Sequence, residues 1–163
     1  MRYLYLSIYL ICTLCSIAAF ALTNYSTIPP DAYAGGNGNL GIIPVVFGMP
    51  FILFFMVLTI IYGYQWMVLK LDVKKLTIIS IVSLLCIAII SIITWIKAKQ
   101  MVALLKEVHP IYSEVDDVPI LSINSNAVFF NIWTFIAVIL LCLFISSVMA
   151  RKDRVIILNR KGG

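Results

Sequence analysis

Long apolar runs alternate with short polar ones along this chain. Residues 3–30, 32–69, 76–96 and 118–150 contain no Asp, Glu, Lys or Arg. The hydrocarbon core of a bilayer takes about 20 apolar residues of helix to cross. A helix also satisfies its own backbone groups, as lipid demands of any spanning segment. The pattern therefore predicts four membrane-spanning helices, over residues 3–23, 45–69, 76–96 and 127–149. The expected fold class is an all-α integral membrane protein, a single domain built as a four-transmembrane-helix bundle. Loops 24–44 and 97–126 would lie on one side, with the tail 150–163 on the other.

Composition points the same way. Of 163 residues, 63% are hydrophobic and 12% charged, against about 45–50% and about 25% in a soluble domain. A soluble fold of this chain would leave large apolar patches facing water. The net charge of +5 invites a nucleic-acid partner only if the basic residues share a face, and their placement removes that idea. With the N-terminus inside, the inner segments hold nine basic and two acidic residues, a net +7. The outer segments hold three basic and five acidic residues, a net −2. Basic residues gather on the cytoplasmic side of membrane proteins, so both termini are expected in the cytoplasm. Lys97 and Lys99 dissent, since they flank the third span on the outer side.

The first span needs a second reading. Ala19-Phe20-Ala21 after an apolar run has the look of a signal-peptide cleavage site. The run is longer than a usual signal core and Arg2 is its only basic residue, so a retained span is expected. The first outer loop carries Pro29, Pro30, Gly35, Gly36, Gly38 and Gly41, a composition for turns rather than regular structure. A phosphate cradle is not expected there, because no strand precedes it and no Lys follows at fixed spacing. Pro50 should kink or delay the second helix. The inner loop 70–75 is short, which makes spans two and three antiparallel neighbours. Tyr62, Tyr64 and Trp66 sit close to it, where aromatic rings mark an interface.

In the second outer loop, Met101, Leu104, Leu105 and Val108 recur at helical spacing up to Pro110. Either span three continues as one helix beyond the bilayer, or a separate helix lies on the interface. Farther on, Glu114, Asp116 and Asp117 form an acidic cluster suited to a cation or a basic peptide, with a plain solvated loop as the simpler reading.

The charge-free spans exclude much chemistry. Proton-coupled antiport, voltage sensing and intramembrane aspartyl proteolysis need ionisable side chains within the membrane. His109 is the only histidine, so haem held by two histidines of one chain is excluded. Cys12-Thr-Leu-Cys15 is the sharpest chemical candidate, as a redox pair in a membrane thiol/quinone enzyme. Against it, the other cysteines, Cys86 and Cys142, fall inside spans, and a reactive thiolate is costly at mid-bilayer. No metal site or cofactor is expected, because the ligand types at close spacing are missing. Ser80, Ser83, Ser91 and Thr94 make one stripe of span three. Cys12, Cys15, Ser16, Ala19 and Thr23 make a small-residue face of span one. Such faces let helices approach closely, leaving Leu, Ile and Phe outward. Asn131, near Trp133 and Thr134, is placed to bond across helices.

The segment from Tyr25 to Gly36 resembles a family of small bacterial membrane domains of unknown function that also stands at the N-terminus of SdpI-type immunity proteins. The likeness covers about residues 5–55 and rests on Ile28-Pro29, on Gly36, and on Pro44 and Pro50 before span two. Asp31 stands where the family usually has His. The resemblance implies a bacterial cytoplasmic membrane and immunity to a peptide toxin or signal sensing, and it supplies no catalytic residues. The functional expectation is a non-enzymatic membrane protein working by protein–protein interaction, as an immunity factor, sensor or accessory subunit. Its partners would be the lipid bilayer and a membrane protein or peptide on the outer side. Asp31, Gly35, Gly36, Glu114, Asp116, Asp117 and Asn131 are the candidate contact residues. The alternatives are the redox enzyme and a small channel or transporter.

Overall fold

A computed structural model describes residues 2–30, 32, 39–108 and 120–161. Four long helices carry the chain: α1 (Arg2–Tyr25), α2 (Ile43–Lys70), α3 (Val73–Val108) and α5 (Ile132–Lys161). A single 3-10 turn (Leu40–Ile42) leads into α2, and one helical turn, α4 (Asn126–Phe129), precedes α5. No strand occurs among the described residues. All four long helices are long and apolar enough to cross a membrane.

Local chemistry explains the helix ends. Asp72 caps α3: its Oδ1 accepts the Lys75 backbone N–H at 2.8 Å, and its other oxygen lies 3.5 Å from the Lys75 ammonium. This is the N-cap role of a short carboxylate, strengthened by the positive end of the helix dipole. The same backbone bond is the main reason its carboxyl titrates below the ordinary aspartate value. α2 begins at Ile43 with Pro44 in its first turn, where a missing N–H loses nothing. Pro50 was expected to kink or delay this helix; α2 has already started and is assigned as one helix through it. Of the two readings of residues 97–108, the single long helix is the one formed: α3 runs 36 residues, roughly 54 Å at 1.5 Å per residue.

The helices pack in the order α1–α2–α5–α3. α2 and α3 are joined by only Leu71 and Asp72, yet they are not packing neighbours as expected. α5 lies between them and packs on both. Consecutive serines on α5 show how. Ser146 donates to the carbonyl of Ile60 on α2 at 3.1 Å, while the Ser147 hydroxyl meets that of Ser80 on α3 at 2.7 Å. Met67, Leu76 and Ala150 close the three-helix junction beside the α2–α3 hinge. Beyond that junction α3 packs on α5 and α4, and only 17% of its most apolar window is buried inside the protein.

The small-residue face of α1 meets α2 as its pattern implies. Cys12, Ser16, Ala19 and Thr23 are buried, while Cys15 of the same expected face is only half-buried. A Cβ on Gly48 of α2 would lie 2.5 Å from the Ala19 Cβ, so the two backbones touch where neither residue has bulk. Phenylalanine departs from the expectation. Phe55 and Phe135 are buried with Cys12, and Phe20 packs against them. Tyr9, Phe55 and Phe135 stack at 6.0 and 5.7 Å, and Phe20 meets Phe135 edge-on at 5.2 Å. These rings pack between α1, α2 and α5. The serine stripe of α3 is also only half used: Ser80 and Ser83 are buried against the protein, while Ser91 is exposed.

Candidate functional site at the loop end

The end of the protein opposite the α2–α3 hinge carries a compact buried polar cluster. Asn124, Ser125 and Asn126 are consecutive and buried, the last two completely. Three adjacent polar residues are buried only when their bonds are met, and here they are. Ser125 Oγ donates to the Ile120 carbonyl and accepts the Ser122 backbone N–H, both at 2.7 Å, folding the residues before α4 into a tight turn. Asn124 Nδ2 donates to the carbonyls of Ile28 and Pro29 at 3.1 and 3.3 Å. The Ile28 backbone N–H donates to the Ile123 carbonyl at 3.2 Å.

Asn126 and Asn39 form a reciprocal amide pair. Each Nδ2 donates to the other's Oδ1 at 2.8 Å. Gly41 lies against this pair: a Cβ there would stand 2.5 Å from Asn126 Nδ2 and 3.0 Å from Ser26 Oγ. Ser26 in turn donates to the Gly41 carbonyl at 3.0 Å. The first loop is thus tied at both ends. Its start (Ile28, Pro29) and its end (Asn39) bond to one stretch, residues 123–126, that closes the second loop.

Asn131 has a role other than bonding across the bundle. It caps α5, accepting the backbone N–H groups of Trp133 and Thr134 at 2.9 and 3.2 Å. Thr134 answers by accepting the Asn131 N–H at 3.0 Å, a capping box with a hydroxyl in the usual place of a carboxylate. The Asn131 amide N–H groups close the last turn of α4 through the carbonyls of Ala127 and Val128 at 2.9 and 2.8 Å. Its side chain therefore builds the elbow between α4 and α5.

The other candidates from the sequence are spread out. Asp31, Gly35, Gly36, Glu114, Asp116 and Asp117 lie outside the described residues. Cys12 is buried against Phe55 and Phe135, Cys15 is half-buried, and all four cysteines are free thiols. Among the described residues no group of His, Cys, Asp and Glu is gathered to hold a metal ion. At the hinge end the Tyr64 hydroxyl donates to Asp153, linking α2 to α5. Of the knot residues, Gly41 stands out in the sequence only as a turn former, and Asn39, Asn124, Ser125 and Asn126 are not among the sequence candidates. Their one available signal was the density of polar side chains in Ser122-Ile-Asn-Ser-Asn126, directly before an apolar run.

Neither a family model, nor a curated protein, nor a solved structure matches this chain.

Proposed function

We propose that this protein spans a membrane four times with both termini in the cytoplasm, and that it acts without catalysis, through contact with a protein or peptide on the outer side. The site of that contact is the face formed by the two outer loops. The observation that carries this reading is the knot: both ends of the first loop are bonded to the residues that close the second. A connector needs no such fastening, whereas a recognition surface made of two separate loops does, because holding them together in advance lowers the ordering cost of binding. In sequence, Asp31, Gly35 and Gly36 belong to the first loop and Glu114, Asp116 and Asp117 to the second, the two loops whose flanking residues the knot joins. Four carboxylates in the sequence of these loops suit a basic peptide or a basic loop of a membrane partner. The +7 and −2 division of charge supports the orientation. Immunity factor, sensor and accessory subunit are the roles compatible with such a surface, and a bacterial cytoplasmic membrane is the setting the sequence resemblance implies.

The test is site-specific photo-crosslinking in cells. A photo-reactive residue at Leu40 or Leu121, both exposed beside the knot, is expected to capture one defined protein or peptide. The same probe at Leu10 or Ile81, exposed along the helices, is expected to capture lipid. Deleting the gene should then lower the abundance or change the activity of the captured partner. Identical adducts from all four positions, or a partner indifferent to the deletion, would sink the reading.

A further inference from the structure

Lys97 and Lys99 break the charge asymmetry that orients the chain. Lys99 has a local explanation, since its ammonium lies 5.4 Å from the centre of the Trp95 ring. Lys97 has none: among the described residues it has no hydrogen-bond or ion-pair partner. It lines a groove of about 330 Å³ between α3 and the α4–α5 elbow. Ile89, Ile93, Thr94 and Lys97 line one wall, in that order along α3 toward its loop end. Val128 and Trp133 form the other wall. The Thr94 hydroxyl and the Trp133 indole N–H also lack partners among the described residues. Helix register thus puts three unused donors, one of them a full positive charge, at the loop end of a largely apolar slot, which the elbow residue Asn131 also lines. Trp133 lines it, and Trp95, next to Thr94 in sequence, is exposed; tryptophans gather at membrane interfaces.

We propose that this groove binds an anionic phospholipid of the outer leaflet. An acyl chain lies along Ile89 and Ile93, and the headgroup phosphate takes its hydrogen bonds from Lys97, Thr94 and Trp133. The charge decides for this occupant: a purely apolar helix from a partner would leave the Lys97 ammonium and two donors unmatched. A phosphodiester matches all three, because it offers several acceptor oxygens and a negative charge. The proposal rests on the membrane reading above and is independent of the outer-face partner.

The experiment uses the full chain in detergent, with native mass spectrometry after adding phosphatidylglycerol or phosphatidylcholine. Wild type is expected to retain one phosphatidylglycerol in preference to phosphatidylcholine. Lys97→Gln should lower that retention about fivefold, the effect of one lysine near an anionic lipid surface, and raised salt should lower it likewise. Lys99→Gln, whose charge sits over Trp95, should leave it unchanged, and Thr94→Val should reduce it about twofold. Equal retention of the two lipids by wild type, or equal losses from Lys97→Gln and Lys99→Gln, overturns the site. So does a preference restored only when a carboxylate-bearing protein segment is supplied. Flotation with phosphatidylcholine vesicles separates the two levels. A chain that floats but shows no anionic preference loses the lipid site alone, and one that does not float loses the membrane reading with it.

Discussion

The Asn39–Asn126 amide pair allows the knot to be tested by a double-mutant cycle. Two bonds of 2.8 Å join the side chains, Asn126 is fully buried and Asn39 is half-buried. A hydrogen bond contributes a net of about 1 kcal/mol, and a buried group left unpaired costs about 1–3 kcal/mol more. Asn39→Ala removes both bonds and strands the enclosed Asn126 amide, for a loss of about 3–5 kcal/mol on that basis. Asn126→Ala also removes both bonds, but the surviving Asn39 can reach water, so the loss falls nearer about 2–3 kcal/mol. In the double variant nothing is stranded and the bonds are lost only once. Its cost should therefore fall short of the sum by at least about 1 kcal/mol, beyond the range expected of independent sites. The assay is reversible unfolding in mixed micelles, followed by helicity and by fluorescence of a label beside Leu121. Costs that add to within about 0.3 kcal/mol would refute the pairing, since sites that do not interact behave that way.

Further outcomes follow from neighbouring residues. Gly41→Ala places a methyl 2.5 Å from Asn126 Nδ2 and should destabilise by about 1–3 kcal/mol, the usual range for overpacking. The same change should cost less in an Asn126→Ala background, where that space is vacated, and unfolding titrations of the two series decide it. Gly48→Ala, opposed by the Ala19 Cβ at 2.5 Å, should separate α1 from α2. It should lower the melting temperature more than Gly63→Ala, whose nearest neighbour is the Ser146 hydroxyl at 3.0 Å. Asp72 gives a pH dependence. Its carboxyl is held below 3.8 chiefly by the Lys75 N–H, so the cap's contribution is present above that value and is lost as pH falls through the lower folded one. Asn caps as well as Asp. Asp72→Asn should therefore flatten this acid-side loss, measured by amide exchange in the first turn of α3, without unfolding the turn at neutral pH.

What the sequence showed and what it hid divide along a physical line. The four helices were legible because lipid tolerates no charge, and residues 3–30, 32–69, 76–96 and 118–150 have none. The α1 face of Cys12, Ser16, Ala19 and Thr23 was legible because only small residues allow backbones to touch. The packing order was not. Lipid is as apolar as a protein core, so hydrophobicity does not distinguish inward from outward positions in a span. That is why Phe55 and Phe135 were placed on the outside and why α5 was not seen to separate α2 from α3. The only sequence mark of the α5 position is the pair Ser146-Ser147, whose neighbours face different helices. The knot was hidden for another reason. Asn39 and Asn126 are 87 residues apart, and an asparagine in a loop reads as a turn former until its partner is known. Asn131 stands out in its span, but its cap depends on where α4 ends and α5 begins, a boundary that a charge-free stretch does not display.

The central claim is that the knot and its two loops face outward from a bilayer crossed by four helices. Site-directed labelling in intact cells with a membrane-impermeant maleimide tests it most directly. The four native cysteines are first replaced by alanine, and single cysteines are then placed at Leu40, Leu121, Lys74 and Lys152. Leu40 and Leu121 should label from outside, with Lys74 and Lys152 labelling only after the cells are permeabilised. Labelling of Lys74 or Lys152 in intact cells, or protection of Leu40 and Leu121 until permeabilisation, would contradict the account.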